Sequence, residues 1–146
     1  MRYHYIDQYI ASSQHKITVS LIGAGGTGSH VLTNLAMINC GLIGLGKQPL
    51  FVKVYDPDNV TEHNVGRSIF SPADIGQNKA EVLVTRINRF YGTHWHSVSD
   101  IYSPANNSKR SANITISCVD SVGSRKLVES SFSKATGYKR NRSCRN

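Results

Sequence analysis

The feature that most constrains this chain is the run Gly23-Ala24-Gly25-Gly26-Thr27-Gly28, set between a strand-like and a helix-like segment. Before it, Ile17, Val19 and Leu21 alternate with Thr18, Ser20 and Ile22. After it, Val31, Leu35, Ile38 and Leu42 recur at helical spacing, with Leu32 and Ala36 beside them. The pattern is strand, glycine turn, helix. In such a turn the first glycine permits the tight bend, the second lets a phosphate approach the backbone, and the third lets helix and strand pack closely. Free N–H groups and the positive end of the helix then favour an anion. Gly23, Gly25, Gly26 and Gly28 therefore point to nucleotide binding, the alternative being a glycine turn kept for packing alone.

The rest of the chain repeats this alternation. Gly41, Gly44 and Gly46 close the first helix, and residues 50–55 read as a second strand stopped by Asp56-Pro57-Asp58-Asn59. Residues 60–76 have no sustained period and read as a long ordered loop with one helical turn; loops of this length inside a compact domain are usually functional. Residues 78–90 form a second helix, with Ala80, Leu83, Val84, Ile87 and Phe90 on one face. A short strand is expected at 94–98, a polar loop at 103–111, a buried strand at 114–119 ending at Asp120, and a helix at 121–132. Alternating units of this kind predict an α/β fold with a Rossmann-like, doubly wound, mostly parallel sheet. Residues 1–132 form the domain and 133–146 a basic tail.

Composition supports one domain and narrows its partners. The 146 residues carry 17 Lys and Arg against 9 Asp and Glu, a net charge of +8. Five of those cations, Lys134, Lys139, Arg140, Arg142 and Arg145, lie in the acid-free tail, so the basicity is largely terminal and nucleic acid is not implied. Cys40, Cys118 and Cys144 form no CxxC pair or zinc spacing. Cys40 and Cys118 read as small core residues, His30 as a packed or capping histidine, and His94 and His96 as surface or edge side chains. The opening Met1-Arg2-Tyr3-His4-Tyr5-Ile6-Asp7 has no apolar run of the secretory type, which favours a cytoplasmic location. Residues 17–46 hold no Asp, Glu, Lys or Arg, but their polar and glycine content fits a buried strand and helix and not a membrane span.

Asp56 ends the second strand, where a dinucleotide fold places an acid on the ribose hydroxyls, but it lies 28 residues after Gly28, more than the roughly 20 typical of NAD sites, the connection from Gly41 to Pro49 explaining part of the excess. The competing role is a turn acid before Pro57. The residues beyond Asp56 do not suit a nicotinamide enzyme. The stretch Asp56-Pro57-Asp58-Asn59-Val60-Thr61-Glu62-His63-Asn64-Val65-Gly66-Arg67, then Asp74-Ile75-Gly76-Gln77-Asn78-Lys79-Ala80, then Cys118-Val119-Asp120-Ser121, resembles the adenylating domain of the ThiF/MoeB/HesA family, relatives of ubiquitin-activating enzymes. The resemblance runs from Ile17 to about Ser124. Arg2-Tyr3-His4-Tyr5-Ile6-Asp7-Gln8-Tyr9 and Phe70-Ser71-Pro72-Ala73-Asp74 look like the subgroup encoded with a ParB-related protein in plasmid-type cassettes.

The resemblance implies ATP and Mg²⁺ as cofactors. Asp56 would bind the ribose, Asn64, Arg67 and Lys79 would contact the phosphates, and Asp120 would hold the metal; Arg67, Lys79 and Asp120 would carry the catalysis. It implies activation of the C-terminal carboxylate of a ubiquitin-like or sulfur-carrier β-grasp protein by a homodimer. The sequence departs from the family pattern in three places. Ser68 stands where a glutamine usually follows the loop arginine, and Tyr5 falls where an N-terminal arginine is usual. Only 26 residues follow Asp120, which predicts a C-terminally truncated domain with incomplete activity. The rival reading is a non-catalytic nucleotide-binding or scaffold protein of such a cassette. An NAD(P)-dependent oxidoreductase gives Asn64, Arg67 and Lys79 no role.

Overall fold

Strand β1 (Thr18–Ile22) pairs on both sides, with β2 (Phe51–Tyr55) and with β4 (Ile114–Ser117), and β2 pairs in turn with β3 (His96–Val98). The computed structural model describes residues 15–103, 112–120 and 125–126. Within them the sheet order is β3-β2-β1-β4 and every pairing is parallel, with Thr18 opposite Phe51, Val19 opposite Ile114 and Lys53 opposite His96. The expected α/β Rossmann-like sheet is therefore present. Helices α1 (Gly26–Gly44) and α2 (Lys79–Tyr91) supply the crossovers that parallel neighbours require. The core joins Val19, Leu21, Val52 and Val54 of the sheet to Leu32, Leu35 and Ala36 of α1 and to Ala80, Leu83 and Ile87 of α2. Trp95 closes its lower end, with its indole N–H donating to the Leu50 carbonyl at 3.0 Å. The helix expected at 121–132 and the tail lie almost wholly outside the described residues.

Two helix faces differ from the sequence expectation. Along α1 the buried positions are Gly28, Ser29, Leu32, Leu35, Ala36 and Asn39, while Ile38 is 54% exposed. The phase is set by contact geometry. A Cβ on Gly28 would overlap the Gly23 carbonyl oxygen, so Gly28 must face the turn. Eleven residues on, Asn39 is buried because its Oδ1 accepts the Leu50 N–H at 2.7 Å. A buried amide satisfied in this way fixes the rotation as firmly as an apolar side chain would. Cys40 and His30 consequently stand exposed and not packed. The helix also runs through Gly41 to Gly44. Along α2, Phe90 is 79% exposed and Val82 is buried in its place, because the helix meets the core through Ala80, Val82, Leu83, Val84 and Ile87, with Tyr91 packed against it, and Phe90 falls outside that face.

These two glycines of α1 should respond oppositely to the same substitution. Gly28→Ala forces a methyl group against backbone and should cost at least about 1–3 kcal/mol. Gly41 has open space around it, so Gly41→Ala should stabilise the helix by up to about 1 kcal/mol. Urea unfolding of both variants checks the contrast.

Candidate functional site

At the carboxyl ends of the strands lies a cavity of about 470 Å³. Its floor is Gly23, Gly25 and Gly26, one wall is Asp56, Pro57 and Asp58, and the opposite wall is Cys118, Val119 and Asp120. Arg67 and Lys79 reach it from the loop and from the start of α2, and Ile101 and Tyr102 close a further side. This is where open α/β sheets bind ligands. A shallower groove of about 580 Å³ along the outer face of α2 holds neither a strand end nor the glycine turn.

The turn forms as its sequence dictates. Gly23 has φ +94°, a conformation that side-chain-bearing residues rarely adopt, and its N–H donates to the Tyr55 carbonyl at 2.8 Å. Gly25 caps α1 without a side-chain acceptor, and the first turn carries no acid. The positive end of α1 is thus left open towards the cavity. Asp56 is buried, its Oδ2 accepting the Ala24 N–H at 2.6 Å and its Oδ1 the Asp58 N–H at 2.9 Å. It therefore braces the turn from the cavity wall. Gly28 lies beneath the turn and not on the cavity surface.

The long loop contains two short 3₁₀ turns, Glu62–Asn64 and Pro72–Asp74, each closed by its own side chains. Asn64 is buried, with Oδ1 accepting the Thr61 N–H at 2.9 Å and the Thr61 hydroxyl at 3.0 Å, and its carbonyl accepts the Ser68 N–H at 3.2 Å. Asn64 does not line the cavity. It folds the turn that carries Arg67, a different placement from the phosphate contact expected of it. Arg67 is exposed at the cavity and has no ion-pair partner among the described residues. The Ser68 hydroxyl is buried, close to Gly26, with no hydrogen-bond partner among the described residues.

Asp74 performs the same folding service in the second turn. Its Oδ2 accepts the Ser71 N–H and hydroxyl at 2.7 and 2.9 Å and pairs with the Arg86 guanidinium at 2.8 Å. Arg86 also donates to the Ile69 carbonyl at 2.6 Å, so α2 holds both flanks of the loop. Burial alone would raise the Asp74 carboxyl, but the Ser71 and Arg86 bonds outweigh it and hold it below its ordinary value of 3.8.

Lys79 sits at the first position of α2, its ammonium 3.0 Å from the Asp58 carboxylate and its side chain 12% exposed. Asp120 is exposed at the cavity edge, just beyond β4. The sequence offered little sign of the aromatic side of the cavity, where Tyr55 and Tyr102 pack edge to face at 5.1 Å. Tyr102 comes from an irregular segment after β3, without periodicity to announce it. Burial, aided by Tyr102, pushes the Tyr55 phenol up and is only partly offset by a hydrogen bond with Ser20. Burial likewise raises the Cys118 thiol, which suits a wall residue and not a nucleophile. His94 and His96 are exposed, His96 against Phe51, away from the cavity.

A glycine turn open to an anion, a strand-end acid bracing it, and loop and helix cations across one cavity agree with a family model for the ThiF family, which matches residues 8–137. This chain belongs to the ThiF family. It is 31% identical over 74 residues to ubiquitin-activating enzyme E1 1 of Candida albicans (strain WO-1), a match covering 50% of this chain and 7% of that one. E. coli tRNA N6-threonylcarbamoyladenosine dehydratase, TcdA, in complex with ATP is similar in structure, with a TM-score of 0.60 and 26% identity over 73% of this chain and 42% of that chain. The same dehydratase in complex with AMP gives a TM-score of 0.66 at 23% identity, covering 82% and 47%. This ThiF-family chain therefore spans less than half of each dehydratase chain and a small part of the activating enzyme. Among its described residues no helix is long and apolar enough to cross a membrane.

The clamp on the ThiF-family loop has a testable acid response. Because the Asp74 carboxyl is held low in the folded state, its contribution to stability is complete above its unfolded value and is lost as pH falls through the lower folded value. Asp74→Asn should be less stable than the parent by about 1–2 kcal/mol at neutral pH. That difference should shrink as urea titrations move below about pH 4.

Proposed function

We propose that this chain is the ATP-binding part of an adenylyltransferase, one that activates the C-terminal carboxylate of a ubiquitin-like or sulfur-carrier β-grasp protein. The observation that carries the reading is the convergence on one cavity of the open α1 terminus, Asp56, Arg67, Lys79 and Asp120. Support also comes from a solved relative of similar fold that holds ATP. The glycine turn receives the phosphates through backbone N–H groups. Asp56, already oriented by two backbone donors, keeps lone pairs for the ribose hydroxyls. In the reaction a carboxylate oxygen attacks the α-phosphorus, forming the acyl–phosphate bond as the bond to pyrophosphate breaks. Arg67 and Lys79 stabilise the charge that gathers on the departing oxygens.

The donor set fits magnesium. Asp120 supplies one exposed carboxylate, and among the described residues no group of three or more His, Cys, Asp or Glu forms a closed metal cage. An ion that retains several waters and takes phosphate oxygens as ligands needs only such a carboxylate. When bound, it neutralises phosphate charge. A homodimer belongs to the same proposal, supported by Met37, Ile38, Ile43 and Leu45, each more than half exposed along the outer side of α1 and its end. A cytoplasmic location, the domain limits 1–132 and 133–146, and a place in a cassette with a ParB-related protein complete it.

Isothermal titration should give tighter binding of ATP with magnesium than of NAD; the reverse order would sink the reading. Arg67→Ala and Lys79→Ala should each weaken ATP by about 1.5–3 kcal/mol. Carrier-dependent ATP–pyrophosphate exchange, with Asp120→Ala as the blank, separates an adenylating domain from a nucleotide-binding scaffold.

A further inference from the structure

Resting on the assignment of Lys79 to the phosphates, we infer that Asn78 is the positioning residue that sets Lys79 against the nucleotide. Asn78 is the N-cap of α2, and three of the four hydrogen-bonding directions of its carboxamide are used. Its Oδ1 accepts the Glu81 N–H at 3.1 Å, which is the ordinary capping bond. Its Nδ2 donates to two carbonyls of the wall that follows β2, Asp56 at 2.9 Å and Asp58 at 3.1 Å. One side chain thus fastens the start of a helix to the segment that carries the strand-end acid. The neighbouring backbone closes the same joint, with the Lys79 N–H donating to the Asp58 carbonyl at 3.0 Å.

The consequence falls on Lys79. Its ammonium meets the Asp58 carboxylate at 3.0 Å across the joint that Asn78 closes. A lysine is a flexible four-carbon stem carrying a point charge, so its value to a phosphate depends on how well its base is held. Serine or threonine can cap a helix through a single oxygen, but neither carries the two amide donors that reach the Asp56 and Asp58 carbonyls. Capping and positioning can therefore be separated by substitution.

The experiment compares ATP with adenosine binding in the full chain, for the parent, Asn78→Ser, Lys79→Ala and the double variant, with Asn78→Thr as a second cap-preserving replacement should the serine variant fold poorly. Asn78→Ser should keep most of the thermal stability, bind adenosine as the parent does, and lose roughly tenfold in ATP affinity, the size of one charged hydrogen bond. On the Lys79→Ala background the same substitution should cost ATP nothing further, because the residue acts through Lys79. Equal weakening of ATP and adenosine, unchanged ATP affinity, or a full additional loss in the double variant would each overturn the inference. If Lys79→Ala alone leaves ATP affinity unchanged, the phosphate role of Lys79 falls and this inference with it. If Lys79→Ala weakens ATP while Asn78→Ser does not, only the role of Asn78 falls.

Discussion

The hydrogen bond from the Ala24 N–H to the Asp56 carboxylate, 2.6 Å long and buried, is the interaction on which the rest of the site depends. It ties the end of β2 to the middle of the glycine turn. Around it the strand ends are bonded edge to edge, Gly23 N–H to the Tyr55 carbonyl, Cys118 N–H to the Ile22 carbonyl and Asp56 N–H to the Val98 carbonyl. Four strands therefore finish at one level, and the cavity opens above them. A charged acceptor in a low-dielectric setting makes a strong bond, and losing it would leave a buried donor unsatisfied. The same carboxylate that shapes the turn is the one proposed to meet the ribose, so architecture and binding share one group.

The second constraint is the loop that brings Arg67 to the cavity. Val60 and Phe70 are buried anchors, but much of its order comes from polar closure. The Thr61–Asn64 and Ser71–Asp74 pairs each fold a short turn, and Arg86 fastens the second to α2. A segment without regular structure normally has backbone groups to satisfy; here Asn64 and Asp74 satisfy them locally. The arginine between the two turns can then stand exposed without the loop around it being loose.

The helices divide the remaining work. Helix α1 brings an uncapped, acid-free terminus to the cavity. Helix α2 brings Lys79 at its first position and uses Asn78 to cap itself and to grip the Asp56–Asp58 segment. The cations lie on separate elements, one on the loop and one on the helix, and the sheet edge contributes Asp120. Under the proposed function, that separation lets a phosphate chain be approached from more than one side, in a site where only the Lys79–Asp58 contact is already an ion pair among the described residues.

The sequence by itself determined the order of the described elements and the glycine turn on which the candidate cavity is built. Alternation along β1, the glycine run, the strand before Asp56 and the helix beginning after Asn78 are all signals carried by near neighbours. Backbone sterics and local hydrogen bonds act over a few residues, which is why these were legible. Tertiary structure decided which faces are buried and which side chains reach the cavity. Ile38 is apolar and yet exposed, whereas Asn39 is polar and buried, because Gly28 against Gly23 and Asn39 against Leu50 fix the phase of α1 through contacts that periodicity does not encode; on α2, Phe90 is exposed and Val82 buried. Asn64 caps a turn, Cys118 becomes a cavity wall and Tyr102 faces Tyr55 for the same reason. Ala24 and Asp56 are 32 residues apart in the chain, and Thr18 and Asn113 are 95 apart. Such partners are chosen only when the folded chain brings distant donors and acceptors out of water together, and the free energy of that choice belongs to the pair and to neither residue alone.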